Sequence, residues 1–155
     1  MPKELTHYDS AGRIRMVDVS AKPPTLRRAT ASALVKMSPT ALRAAKRNPK
    51  GNPLEVARIA GISAAKRTSE LIPLCHSLRL SHIDVQAGFC KNGVVVSSTV
   101  TSTGPTGVEM EALTAVAVAA LTVYDMCKAI DRGIVITNIK LLEKSGGKSG
   151  TYRAK

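Results

Sequence analysis

Strand and helix signals follow one another along the 155-residue chain in an order that predicts an α+β fold, an antiparallel sheet with helices packed on one face. Three observations carry that prediction. Two β-rich runs, residues 83–89 and 94–103, flank Asn92-Gly93, a strong short hairpin signal. Helix-start signals stand at Ser38-Pro39, at Asn52-Pro53 and at Thr106-Gly107-Val108-Glu109. A β-type run precedes the first of these helices, and another follows the last.

The elements are justified in order. Residues 1–22 are polar and mixed and are closed off by Pro23-Pro24, which reads as a loosely held arm. Residues 25–37 alternate imperfectly and are rich in Ala; the pattern admits strand or helix, and strand is taken. Ser38-Pro39 gives an N-cap and a first-turn proline for a short helix to about Arg47, and Asn48-Pro49-Lys50-Gly51 is a turn. Asn52-Pro53-Leu54-Glu55 repeats the start signal for a helix expected to reach about Leu71, before Pro73. Ile83, Val85, Ala87 and Phe89 alternate with polar residues, and residues 94–103 are rich in β-branched side chains. The hairpin between them is expected to need positive φ at both Asn92 and Gly93. Thr106 through Glu109 spells a capping box for a long helix to about Asp131, Gly133 ends it, and residues 134–142 form a last strand. Strand, helices, strand, strand, helix, strand is the split βαβ, ferredoxin-like order. No internal repeat or low-complexity tract interrupts it, so the 155 residues read as one domain with a flexible, basic, Gly-rich tail at 144–155.

Composition narrows the function classes. Lys plus Arg total 23 against 11 Asp plus Glu, a net charge of +12 that predicts an anionic partner. With three Tyr, one Phe and no Trp, the stacking platforms of single-stranded nucleic-acid binders are missing. Phosphate recognition needs no rings. The uncharged run 112–124 falls short of a membrane span, and no apolar signal core follows Met1-Pro2-Lys3-Glu4. Cys75, Cys90 and Cys127 are odd in number and lack C-x-x-C spacing, so reduced thiols in a cytoplasm are expected, without nucleic acid or membrane as partner.

The uncharged run poses a packing question, because a helix with one face to water should be amphipathic. Either a subunit interface or the arm and other helices cover its second side. Charges gather at its two ends, Glu109 and Glu111 at the start and Asp125 and Lys128 near the finish. Asp125 and Lys128 are i,i+3 neighbours, which suits a proton-shuttling pair and equally a surface ion pair. Glu111 and Asp125 lie 14 residues apart, about 21 Å along a helix, so one small substrate cannot touch both within one chain. Lys66 and Arg67 stand at a helix end and can simply answer its dipole. Cys75-His76 admits a thiol nucleophile with its base, although adjacent residues rarely face each other; His76 is open as a ligand-facing proton carrier or a structural histidine. Lys144-Ser145-Gly146-Gly147-Lys148-Ser149-Gly150 resembles a phosphate loop but fails as a Walker A motif, since position 142 is Leu and no helix follows. A tail closing over an anion and a disordered terminus both remain open. Arg27 and Lys50 are single cations that spacing alone leaves on the surface.

Taken together, these residues resemble the molybdenum cofactor biosynthesis protein C family, the cyclic pyranopterin monophosphate synthases. The matching stretches begin with Met16-Val17-Asp18-Val19-Ser20-Ala21-Lys22, Ala57-Arg58-Ile59-Ala60-Gly61-Ile62 and Ala64-Ala65-Lys66-Arg67-Thr68. Leu71-Ile72-Pro73-Leu74-Cys75-His76, Thr106 through Thr114, Tyr124-Asp125-Met126-Cys127-Lys128-Ala129 and the 144–150 loop complete them, in order over nearly the whole chain. Ser77 stands where a proline is common and Ser69 where an aromatic can occur.

The resemblance implies a lyase that converts 3′,8-cyclo-7,8-dihydroguanosine 5′-triphosphate to cyclic pyranopterin monophosphate and releases pyrophosphate, downstream of a radical S-adenosylmethionine enzyme. It implies a homohexamer, a trimer of dimers, with active sites at the dimer interface. Asp125 and Lys128 match the catalytic pair, with Lys50 beside them. Leu74, Cys75, His76, Met110 and Glu111, with Glu109, match substrate-binding positions, and Arg27, Lys66 and Lys144 match basic residues around the triphosphate. No metal is required by the residues, although Mg²⁺ can accompany the triphosphate. Two other classes share the topology, an RNA-binding module and a ligand-sensing regulatory domain. The first should carry aromatics on its central strands, where residues 94–103 have none.

Overall fold

A computed structural model describes residues 7–9 and 11–155; the first six residues and Ser10 of the expected arm lie outside the described residues. The strands are β1 (Thr25–Lys36), β2 (Leu80–Cys90), β3 (Gly93–Gly104), β4 (Val135–Ser145) and β5 (Tyr152–Arg153). They form one antiparallel sheet in the order β2-β3-β1-β4-β5. Its first four strands reproduce the split βαβ arrangement. The helices are α1 (Pro39–Ala45), α2 (Pro53–Lys66), the single turn α3 (Thr68–Leu71) and α4 (Glu109–Cys127).

Alternation along β1 and β3 decides which face the helices cover. Ala29, Ala31, Ala33 and Val35 pair across with Val100, Ser98, Val96 and Val94, and all eight are buried. Their neighbours Arg28, Thr30, Ser32 and Leu34 point to the other, half-open face with Thr101, Thr99, Ser97 and Val95. Fully burying a Val contributes about 1.5–3 kcal/mol, so Val35, Val94, Val96 and Val100 on this face fix the register, with the β1 alanines leaving room for the helices. The open faces of β1, β2 and β3 carry no Phe, Tyr or Trp. Phe89 lies on the covered side, packed against the core with the Lys46 ammonium 5.5 Å from its ring centre.

The two long helices run beside each other over the sheet with small residues at their contact. Ala57, Gly61, Ala64 and Ala65 of α2 and Ala112, Ala115, Ala119 and Ala120 of α4 are buried. At Gly61 a β-carbon would lie 2.9 Å from the Ala115 carbonyl oxygen and 3.1 Å from Val85. α4 is apolar and long enough to pass for a membrane span, yet 56% of its apolar window is buried between α2 and the sheet. Cover on its second side within the chain therefore comes from another helix, α2, while Leu121 remains 57% exposed.

Several expectations are corrected. The second helix stops at Lys66 rather than Leu71, because Arg67 leaves the helical region and Thr68 turns inward, its hydroxyl donating to the Ala65 carbonyl at 3.0 Å. The capping box at Thr106 does not form. α4 begins after Val108, which is fully buried, and no side chain caps it. The same helix ends at Cys127 rather than Asp131; Asp131 instead accepts the Gly133 amide at 2.7 Å in the following turn. The hairpin loop is Lys91-Asn92, closed by the pair Cys90–Gly93, and Asn92 does not take positive φ. Only Gly93 does, at +144°, where any β-carbon would collide with the Val35 carbonyl. The last strand runs on to Ser145, beyond Leu142. The chain then turns through Gly146 and Gly147, and β5 pairs Tyr152 and Arg153 with Lys144 and Glu143.

Candidate active site

The residues singled out from the sequence fall into two groups at opposite ends of α4. At its start lies a cavity of about 260 Å³, walled by the arm, the 74–78 loop and the first turn of the helix. Leu74, Cys75, His76, Glu109, Met110 and Glu111 all line it. The loop is held by the Cys75 amide, which donates to the Ile72 carbonyl at 3.0 Å, following the proline at 73 that ends helical structure. His76 Nε2 lies 2.8 Å from the Val17 carbonyl oxygen, tying loop to arm.

Glu111 is 4% exposed, and burial, reinforced by the neighbouring Glu109 charge, pushes its carboxyl above the usual range. Burial and the Glu111 charge push the Cys75 thiol up as well. Burial therefore disfavours the thiolate form that a nucleophilic Cys75 would need.

Cations gather beside this cavity. Lys144 Nζ sits 3.3 Å from Glu109 Oε1 and donates to Ser149 Oγ at 2.7 Å. Arg27 donates to the Pro105 carbonyl at 3.2 Å and the Gly146 carbonyl at 3.4 Å, fastening the glycine turn near the start of α4. Its Nε is buried with no hydrogen-bond partner among the described residues, an unspent donor. Gly146, at φ +97°, is required there because a β-carbon would strike the Leu26 carbonyl. Lys66, exposed at the end of α2, does not line the cavity.

At the far end of α4, Lys128 Nζ and Asp125 Oδ1 are 2.7 Å apart. The Lys128 hydrogen bond and charge, with help from Lys50, hold the Asp125 carboxyl below the usual range; Asp125 in turn raises Lys128. Lys50 is brought close by Asn48, whose Nδ2 donates to the Met126 carbonyl at 2.8 Å and whose Oδ1 accepts the Lys50 amide at 3.0 Å. The Asp125 and Lys128 side chains are 67% and 54% exposed. Within one chain the pair is therefore a solvated ion pair, and Lys50 joins it while none of the cavity residues does.

The sequence reading missed His7, Val17, Val19 and Lys22 as cavity walls and Asn48 as the bracket of Lys50. The resemblance did include Val17, Val19 and Lys22, but nothing local says that an arm folds back over a loop sixty residues away. Among the described residues no three His, Cys, Asp or Glu side chains are grouped to hold a metal ion.

A ferredoxin-like sheet whose main helix carries an acidic and cation-flanked cavity at one end and a Lys-Asp-Lys cluster at the other defines a class of α+β protein suited to a polyanionic small molecule. The chain belongs to the MoaC family, whose model matches residues 16–147. It is 55% identical to a cyclic pyranopterin monophosphate synthase of Parvibaculum lavamentivorans over 99% of this chain and 98% of that one. It is 58% identical to cyclic pyranopterin monophosphate synthase 1 of Mycobacterium tuberculosis, over 96% of this chain and 89% of the relative. Against mouse molybdenum cofactor biosynthesis protein 1 it is 52% identical over 96% of its own length but spans only 24% of that protein.

Proposed function

We infer that the chain is a cyclic pyranopterin monophosphate synthase of molybdenum cofactor biosynthesis. The observation that carries this reading is that the family match, residues 16–147, takes in both clusters, from Arg27 to Lys144. The substrate is 3′,8-cyclo-7,8-dihydroguanosine 5′-triphosphate, supplied by a radical S-adenosylmethionine enzyme, and the products are cyclic pyranopterin monophosphate and pyrophosphate.

In this reading the base of the substrate enters the cavity at the start of α4 against Leu74, Cys75, His76, Met110 and Glu111. Arg27, Lys66 and Lys144 take the triphosphate, with Lys144 exchanging Glu109 for a phosphate oxygen. Cyclisation joins a substrate hydroxyl oxygen to the α-phosphorus and breaks the bond from that phosphorus to the bridging oxygen of pyrophosphate. The hydroxyl proton must leave, and the negative charge gathering on pyrophosphate must be met by cations. Asp125 accepts and Lys128 returns protons as the imidazole ring opens and the pterin ring closes, while Lys50 biases Asp125 toward its ionised form. Mg²⁺, where it takes part, arrives with the triphosphate rather than in a resident site.

The separation of about 21 Å along α4 requires that Asp125, Lys128 and Lys50 act on a substrate held by another copy. A homohexamer built as a trimer of dimers, with sites at the dimer interface, supplies that, and the exposed Leu121 on α4 is suited to burial there. Three free cysteines fit a reducing cytoplasm.

The test is incubation of the purified protein with the cyclic dihydroguanosine triphosphate, followed by mass spectrometry. Stoichiometric pyrophosphate and pterin product are expected. Binding without either product would overturn the reading in favour of a ligand-sensing domain.

A further inference from the structure

Two local turns shape the arm on either side of Val17, and a hydrogen bond accepted by the Val17 carbonyl ties it to the cavity loop. Before Val17, Asp9 accepts the Ala11 and Arg13 amides at 2.9 Å each, and the Arg15 amide donates to the His7 carbonyl at 2.9 Å. After it, Asp18 accepts both the Ser20 amide, at 2.9 Å, and its hydroxyl, at 2.7 Å. Between these two turns the Val17 carbonyl meets His76 Nε2 at 2.8 Å. A carbonyl oxygen can only accept, so at that distance Nε2 must carry the proton. In the neutral ring the lone pair then resides on Nδ1, which has no hydrogen-bond partner among the described residues although His76 lines the cavity.

We propose that the Val17 carbonyl fixes the tautomer of His76, so that the ring meets the ligand with Nδ1 as an acceptor for an N–H or O–H of the substrate base. This rests on the reading of the cavity as the substrate pocket. Val17 is a positioning residue acting through its main chain, and the arm becomes part of the recognition surface rather than a loose extension. A pocket that presents an acceptor there selects a ligand with a ring N–H or exocyclic amine and disfavours one that offers a lone pair at the same point.

The direct test needs no turnover. In the full-length protein labelled with ¹⁵N at histidine, long-range ¹H–¹⁵N correlations report which ring nitrogen bears the proton, and His76→Gln assigns the signals against His7 and His82. The expected result is a protonated Nε2 and a bare Nδ1 at pH values where the ring is neutral. A protonated Nδ1, or equal averaging of the two, would overturn the proposal. A kinetic arm follows from geometry. His76→Gln can keep a donor toward Val17 but has no acceptor at the Nδ1 position, whereas the Oδ1 of His76→Asn falls near that position. Loss of one ligand hydrogen bond should raise KM for His76→Gln by roughly 3- to 10-fold over His76→Asn, with kcat less affected. Equal KM values in two variants with wild-type melting points would also overturn the proposal. If the wild type turned over no substrate, the synthase reading would fail while the tautomer result stood or fell alone.

Discussion

Replacing Gly61 with valine strains the contact that seats α4 against α2 and the sheet. A β-carbon at this position would lie 2.9 Å from the Ala115 carbonyl oxygen, 3.1 Å from Val85 Cγ1 and 3.3 Å from Ala119 Cβ. The first is backbone in the middle of a helix, and Val85 and Ala119 are fully buried, so no flexible side chain can give way. Helix propensity favours the exchange by a few tenths of a kcal/mol. Overpacking a fixed core contact costs about 1–3 kcal/mol. The net loss is therefore about 2 kcal/mol, which lowers Tm by roughly 4–8 °C in a chain of this size. Far-ultraviolet circular dichroism during thermal and urea unfolding reads both quantities. Gly61→Ala makes the same β-carbon contacts without valine's γ-carbons, and the full propensity gain of alanine opposes their cost, so it should fall within about 1 kcal/mol of wild type. A Gly61→Val protein as stable as the wild type would show that α2 and α4 are not in the close contact described.

Other consequences are as specific. Asp125→Asn should lower kcat by about 10²- to 10⁴-fold, the range for losing one acid–base group, with the melting point unchanged because the side chain is mostly solvent-exposed; wild-type turnover would remove Asp125 from the chemistry. Glu111 keeps its proton in the folded chain at pH values where the unfolded chain has released it. Stability should therefore fall as pH rises from the ordinary carboxylate range through the elevated value, and Glu111→Gln should flatten that dependence in pH-resolved urea melts. Gly93→Ala combines positive φ with a collision at the Val35 carbonyl and should cost on the order of 1–3 kcal/mol in the same assay. Gly146→Ala meets the same combination at the Leu26 carbonyl, so it should destabilise the protein on a similar scale, detach the 144–150 turn from Arg27 and raise KM for the triphosphate in steady-state kinetics.

Local chemistry made some elements legible. Ser38 and Asn52 cap α1 and α2 as read, accepting the Ala41 and Leu54 amides at 3.2 and 3.0 Å, each with Pro at the first helical position. The buried valines of β3 follow from its β-branched run, whereas the Ala-rich row of β1 that pairs with them is open to a helical reading until the partner strand fixes it. Misreadings occurred where a distant partner decides. Glu109 could have completed a capping box with Thr106, but it pairs with Lys144 from β4, while Val108 is drawn into the core. Nothing near Arg67 announces that Thr68 will turn inward, and nothing in residues 144–155 says that β4 offers an edge for Tyr152 and Arg153. The site divides in the same way. Asp125 and Lys128 are neighbours by helix spacing, whereas the tie of His76 to Val17 and that of Lys50 to α4 through Asn48 join segments 59 and 78 residues apart.

The dependence of turnover on two chains can be read from a mixture of two defective proteins. Asp125→Asn removes the shuttle at the end of α4, and Lys144→Ala removes a cation beside the cavity at its start. If each site draws one cluster from each of two copies, co-expressing the two variants should restore synthase activity well above either alone, since half of the sites in a mixed dimer are intact. If the mixed assembly forms, as native mass spectrometry would show, and its activity stays at the sum of the two variants, the clusters do not serve a common site.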